Sequence, residues 1–228
     1  MKLRLAVAAL AAAAVPAVTS PHPAEAQARD WSRTVAVTPE GGFRMGNPEA
    51  SLKLVEYGSI TCPHCAQFSA DSSAALRSSY VRSGRVSFEY RPYLIFPTDP
   101  GAFLLLSCLG PGGFFPAAEQ LYAEQAAWSD RFRALPRAEL QRIRALPPIE
   151  QTAAIVRAAG IDQYFLDRGM SAARIDACLA DRSALDRLVA ITERAGTLGV
   201  QGTPTLLTNG RLVGAQEWST PEPMLAGG

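Results

Sequence analysis

The chain predicts an α/β domain in which a strand–helix–strand unit is separated from a closing β-hairpin by a long helical block. Three observations predict it. Leu52-Lys53-Leu54-Val55-Glu56-Tyr57 alternates apolar and polar residues, Ala66 to Leu76 carries helix formers, and Arg85-Val86-Ser87-Phe88-Glu89-Tyr90 reads as a second strand, giving a βαβ unit with a parallel pair. From about Asp99 to Gly196 there is almost no strand signal, only Ala/Leu/Arg-rich blocks separated by Pro and Gly. Thr205-Leu206-Leu207-Thr208 and Arg211-Leu212-Val213 then flank Asn209-Gly210, the preferred two-residue hairpin turn.

In chain order, the first residues read as an export leader. Lys2 and Arg4 make a charged start, Leu5 to Val15 is a short apolar run, and Ala24-Glu25-Ala26 and Ala26-Gln27-Ala28 are small-x-small sites. Cleavage after Ala28 is expected, because the apolar run falls short of the ~20 residues that span a membrane. The expected location is a bacterial periplasm. The formal net charge of +1 makes no case for nucleic acid, and no Lys/Arg run is interleaved with aromatics. Four cysteines in an exported chain read as two disulfides.

Residues 29–47 form an entry segment in which Thr34-Val35-Ala36-Val37 can add an edge strand, with turns at Gly41-Gly42, Gly46 and Pro48. The helical blocks are expected at Ala102 to Leu109, Pro116 to Trp128, Ile149 to Ala159, Ile161 to Arg168, Ser171 to Ala180 and Ser183 to Thr197. Ser171 and Ser183 are the expected N-caps. Pro221 and Pro223 near the end leave room for at most a short closing helix.

The stretch Ser59-Ile60-Thr61-Cys62-Pro63-His64-Cys65 is where chemistry is expected. Two thiols at this spacing can close into a disulfide across the first turn of a helix. Pro63 suits that turn because no amide hydrogen is needed there. Cys62 then sits at the helix start, facing unpaired amides and the positive end of the dipole, which favour the nucleophilic thiolate. His64 is the only histidine beyond the leader, which holds His22. A papain-like Cys–His pair therefore has no base elsewhere, and Cys62, His64 and Cys65 are too tightly spaced to hold one zinc ion together. His64 is read instead as lowering the Cys62 pKa through its ring. An inert structural disulfide, a solvent-facing His64 and a Glu56 reaching water at a sheet edge remain the plain alternatives.

Cys62-Pro63-His64-Cys65 resembles the active site of the DsbA-type thiol–disulfide oxidoreductases of the thioredoxin superfamily. Glu56, six residues earlier, matches the superfamily's buried acid, and Thr203-Pro204 in Gly199-Val200-Gln201-Gly202-Thr203-Pro204-Thr205 matches its cis-proline loop. The resemblance implies a thioredoxin fold interrupted by a helical insertion: leader 1–28, thioredoxin part 29–98, insertion 99–196, second thioredoxin part 197–228. It implies Cys62 as attacking thiol, Cys65 as resolving thiol, Glu56 as proton relay, Thr203 and Pro204 as substrate contacts, and Cys108–Cys178 as a non-catalytic disulfide, with two free buried cysteines as the alternative. It also implies no cofactor or metal, a monomer, unfolded exported proteins with free cysteines as substrates, and a membrane quinone-linked reoxidant of the DsbB kind. A reductase or isomerase on the same fold, and a metal-handling or chaperone module whose CxxC is a clasp, are the rival functions.

Overall fold

A computed structural model describes residues 29–213 and 217–226. The leader read over 1–28, with its cleavage site near Ala28, lies outside the described residues. The strands β1 (Val35–Val37), β2 (Phe43–Gly46), β3 (Leu52–Gly58), β4 (Val86–Pro92), β5 (Thr205–Thr208) and β6 (Arg211–Val213) form one sheet of order β1-β2-β4-β3-β5-β6. β3 and β4 pair in parallel and every other neighbour is antiparallel. The parallel pair joins through α1 (Pro63–Ala75) and a π-helical extension over Leu76–Val81. β3 is therefore central, and its buried run reflects cover on both faces.

β2 was not foreseen, because Gly41-Gly42 and Gly46 read as turn residues. Phe43 and Met45 explain the strand: they pair in register with Tyr90 and Phe88 and point with them into the core. Phe43 stacks on Phe114 with ring centroids 3.8 Å apart, and Phe114 also meets Tyr90 and Phe115. The Asn209-Gly210 turn closes β5 on β6 with φ of 48° and 79°, the doubly positive geometry for which this dipeptide is suited. The Asn209 side chain also accepts from Lys53 N at 2.8 Å, tying the hairpin to β3.

The helical block comprises α2 (Asp99–Cys108), α3 (Pro111–Ala123), α4 (Gln125–Arg133), α5 (Arg137–Arg144), α6 (Pro148–Ala159), α7 (Ile161–Asp167), α8 (Ala172–Leu179) and α9 (Arg182–Thr197). The stretch expected as one helix from Pro116 to Trp128 is two, broken at Glu124, whose ψ of 5° leaves the helical region. α3 starts earlier than expected because Pro111 occupies its first turn. α5 has no expected counterpart; its polar, Arg-rich surface hides a single buried residue, Ile143. Ser171 caps α8, whereas α9 is capped by Asp181 rather than Ser183: the Asp181 carboxylate accepts from Ala184 N and from Ser183 Oγ. α2 and α6 approach closely at Gly101, where an added Cβ would lie 2.2 Å from Val156 Cγ2. Cys108 and Cys178 form a disulfide between the end of α2 and α8. α9 touches both α2 and β4, with Ile191 against Gly41 and Thr192 Oγ1 accepting from Leu94 N, so the last helix of the block also covers the sheet. The closing helix, α10 (Pro221–Ala226), is one short segment following Trp218, which packs edge-on to Phe68 and Tyr80.

Candidate active site

Cys62 is the N-cap of α1, with φ −75° and ψ 123°, and Pro63 opens the helix behind it. Its place at the helix start does not leave Cys62 exposed. The residue is 6% exposed, because the Thr203 carbonyl lies over it and accepts from the Cys62 thiol at 3.3 Å. The Thr203–Pro204 peptide bond is cis. Cys65, one turn on, is fully buried, and both cysteines stand as free thiols.

The two thiols are driven apart in acidity. Cys62 is lowered to about 5, first by the Cys65 thiol donating to its sulfur, against the cost of burial, and then by the Thr203 side chain and the amides of Cys65 and His64. Cys65 is pushed well above the usual thiol range by burial, by donating to Cys62 and by the Glu56 charge. The site thus holds one ready nucleophile and one thiol that keeps its proton. His64 contributes differently from the sequence expectation: its backbone amide favours the thiolate, while its side chain is exposed. The ring is directed to solvent because the helix start aims amides, not this side chain, at the sulfur.

Glu56 lies on central β3, not at a sheet edge, and is 3% exposed. Its Oε1 is buried without a hydrogen-bond partner, and burial followed by the Cys62 charge raises its pKa to about 8. It is therefore a neutral carboxylic acid at pH 7. Beside it, Tyr90 Oη lies 2.7 Å from Tyr122 Oη, and Tyr122 donates to Ser59 O at 3.1 Å. Gly58 is required here, since an added Cβ would fall 2.5 Å from Tyr90 Oη.

Several residues that hold the site escaped sequence reasoning. The Asp99 carboxylate, wholly buried at the start of α2, accepts from Ser59 Oγ, Thr61 N, Thr61 Oγ1, Ile95 N and Phe96 N. Gln125, first residue of α4, donates to Ile60 O and Cys62 O. Thr98-Asp99-Pro100 before an apolar run is a legible helix start that points to Asp99; Gln125 has no such signal. Beside Cys62 opens a cleft of about 450 Å³, lined by Thr61, Pro63, Phe96, Trp128 and Phe132. Among the described residues, no group of three or more His, Cys, Asp or Glu could hold a metal ion, and no helix is long and apolar enough to cross a membrane.

The geometry has counterparts among known proteins. A family model described as thioredoxin matches residues 38–225. A protein-disulfide isomerase from Novosphingobium aromaticivorans superposes with a TM-score of 0.77 and 30% identity, over 81% of this chain and 95% of that one. Alpha-DsbA1 of Wolbachia pipientis superposes at 0.62 with 17% identity over 83% of this chain and 91% of that one, a likeness of fold. A curated putative protein-disulfide oxidoreductase of Rickettsia felis is 26% identical over 137 residues, 58% of this chain, and the chain spans about half the length of that relative (49%). With the helices α2 to α9 set between β4 and β5, the chain belongs to the thioredoxin family, in the DsbA-like form with a helical insertion.

Proposed function

We propose that this protein is a thiol–disulfide oxidoreductase that acts as an oxidase, handing the Cys62–Cys65 disulfide to exported proteins with free cysteines. The observation that carries the reading is the separation of the two thiols, with Cys62 lowered to about 5 and Cys65 raised. A stable Cys62 thiolate favours the dithiol form and makes the disulfide one that is readily given away. In the forward step a substrate thiolate attacks Cys62 Sγ and the Cys62–Cys65 bond breaks. Cys65 leaves as a thiolate and takes a proton, for which neutral Glu56 is the buried donor. A second substrate thiolate then attacks the substrate sulfur of the mixed disulfide, Cys62 leaves as a thiolate, and the substrate departs two electrons poorer. Cys62 carries no proton in the disulfide or the mixed disulfide, so the Thr203 carbonyl, which accepts from the protonated thiol in the dithiol form, is open to a donor on the incoming chain. The apolar cleft beside Pro63 suits the uncharged side chains that unfolded chains expose.

The proposal extends to a periplasmic, monomeric protein, released from its leader near Ala28 and reoxidised by a quinone-linked membrane partner of the DsbB kind. The isomerase reading has one observation in its favour, the description of the Novosphingobium relative. Measuring the Cys62–Cys65 equilibrium against glutathione separates the two. An oxidase gives a potential well above the about −270 mV of thioredoxin, towards the about −120 mV of DsbA. A value at or below the about −180 mV of protein disulfide isomerase overturns the oxidase reading.

A further inference from the structure

We infer that Gln125, on the inserted helical block, is a positioning residue for Cys62 that sets how strongly the fold favours its thiolate. The inference rests on the thiol–disulfide reading of the site. Gln125 is 8% exposed, and its single Nε2 donates to Ile60 O at 2.9 Å and to Cys62 O at 3.0 Å. A planar amide carries two protons in a fixed fork, so one side chain holds two carbonyls at a set separation. The second of these carbonyls is the critical one. The peptide between Cys62 and Pro63 has no N–H, because Pro63 lacks it, so Cys62 O is the only polar handle by which that plane can be held. Its other partner is Ala66 N, within α1 itself. Gln125 is thus the link between this peptide and the rest of the protein.

The Ile60–Thr61 peptide, two planes earlier, is gripped from the opposite sense. Thr61 N donates to Asp99 Oδ1 while Ile60 O accepts from Gln125, so both ends of that plane are held by the helical block. What depends on this grip is the Cys62 backbone angle ψ of 123°, which turns the sulfur back onto the amides of His64 and Cys65. Those amides and the Cys65 thiol are the donors that favour the thiolate. Loosening the peptide lets the sulfur drift from them without altering any residue of the Cys-Pro-His-Cys motif.

The test uses the full chain carrying Gln125→Leu or Gln125→Glu. Cys62 ionisation is followed by thiolate ultraviolet absorbance, and the dithiol–disulfide equilibrium is measured against glutathione. Gln125→Leu keeps the bulk and removes both donors. The Cys62 pKa is expected to rise by about one unit, with the equilibrium moving about tenfold towards the disulfide, roughly 30 mV more reducing. Gln125→Glu adds a negative charge facing two carbonyls and is expected to shift both further in the same direction. If it fails to fold, Gln125→Asn, one methylene short, takes its place with the same expected direction. Variants that melt lower in both redox states yet titrate and equilibrate like the parent overturn the inference, leaving Gln125 a purely structural contact. Absence of any exchange with glutathione in the parent instead overturns the oxidoreductase reading, and the Cys62 titration still decides the role of Gln125.

Discussion

At the scale of single residues, reactivity is divided by depth. Cys62 meets donors at the mouth of α1, while Cys65 and Glu56 lie beneath it, where ionisation costs most. In the reduced folded protein, Cys62 is expected to be the sole thiol alkylated rapidly at mildly acidic pH. Alkylation across a pH series followed by peptide mapping checks this, and label on Cys65 would count against the assignment. Glu56 has a separate signature. Its folded pKa of about 8 is raised above the unfolded value of about 4.3, so the unfolded chain loses this proton first and stability falls as pH rises from about 4 to 8. Glu56→Gln is therefore expected to stabilise the protein by about 3–4 kcal/mol at pH 7 and by little at pH 4. Denaturant melts at the two pH values read it out. The same variant is expected to slow exchange, because the donor to Cys65 is gone.

Among the elements, the local pieces were legible and the long-range grips were not. The strand before the CxxC, the helix after it and the Asn209-Gly210 hairpin each have a pattern contained within about a dozen residues. Pro63 at a helix start and the short α10 between prolines follow from backbone chemistry alone. β2 was hidden because its strand character comes from Phe88, Tyr90 and Phe114, which are distant in sequence. Gln125 and Tyr122 were invisible for the same reason: each is an ordinary helical residue until α3 and α4 are laid against the Ser59–Cys62 turn. His64 could be placed at the sulfur, but not which of its parts faces it, since that depends on the direction of the helix amides. The Cys108–Cys178 bond is the strongest tie within the helical block. It closes a separation of 70 residues and is expected to contribute about 4 kcal/mol on the chain-entropy model. Changing both to Ser should lower the melting temperature by several degrees and leave the rate of oxidising a dithiol peptide nearly intact. A collapse of that rate without unfolding would show the pair taking part in the reaction.

For the molecule as a whole, a redox-dependent stability is expected. The folded pKa of Cys62, about 5, is below the unfolded value near 8.5, so the reduced form gains stability that is fully present above about 8.5 and disappears as pH falls through 5. At pH 7 the gain is about 1–2 kcal/mol after allowance for solvent screening at the mouth of the helix. The reduced protein should melt higher than the oxidised one at pH 7, and the gap should close in acid. Paired melts of both forms, with Cys108–Cys178 kept intact, measure it, and an oxidised form clearly the more stable at pH 7 would contradict the oxidase proposal. The sheet order carries a consequence of a different kind. Among the described residues its two outermost strands, β1 and β6, are three residues each. A protein proposed to handle extended, unpaired chains runs the risk of being zipped into them along an open strand. Edges this short offer too few backbone partners in a row to hold a passing chain, so a client can meet the Cys62 sulfur and leave again without extending the sheet.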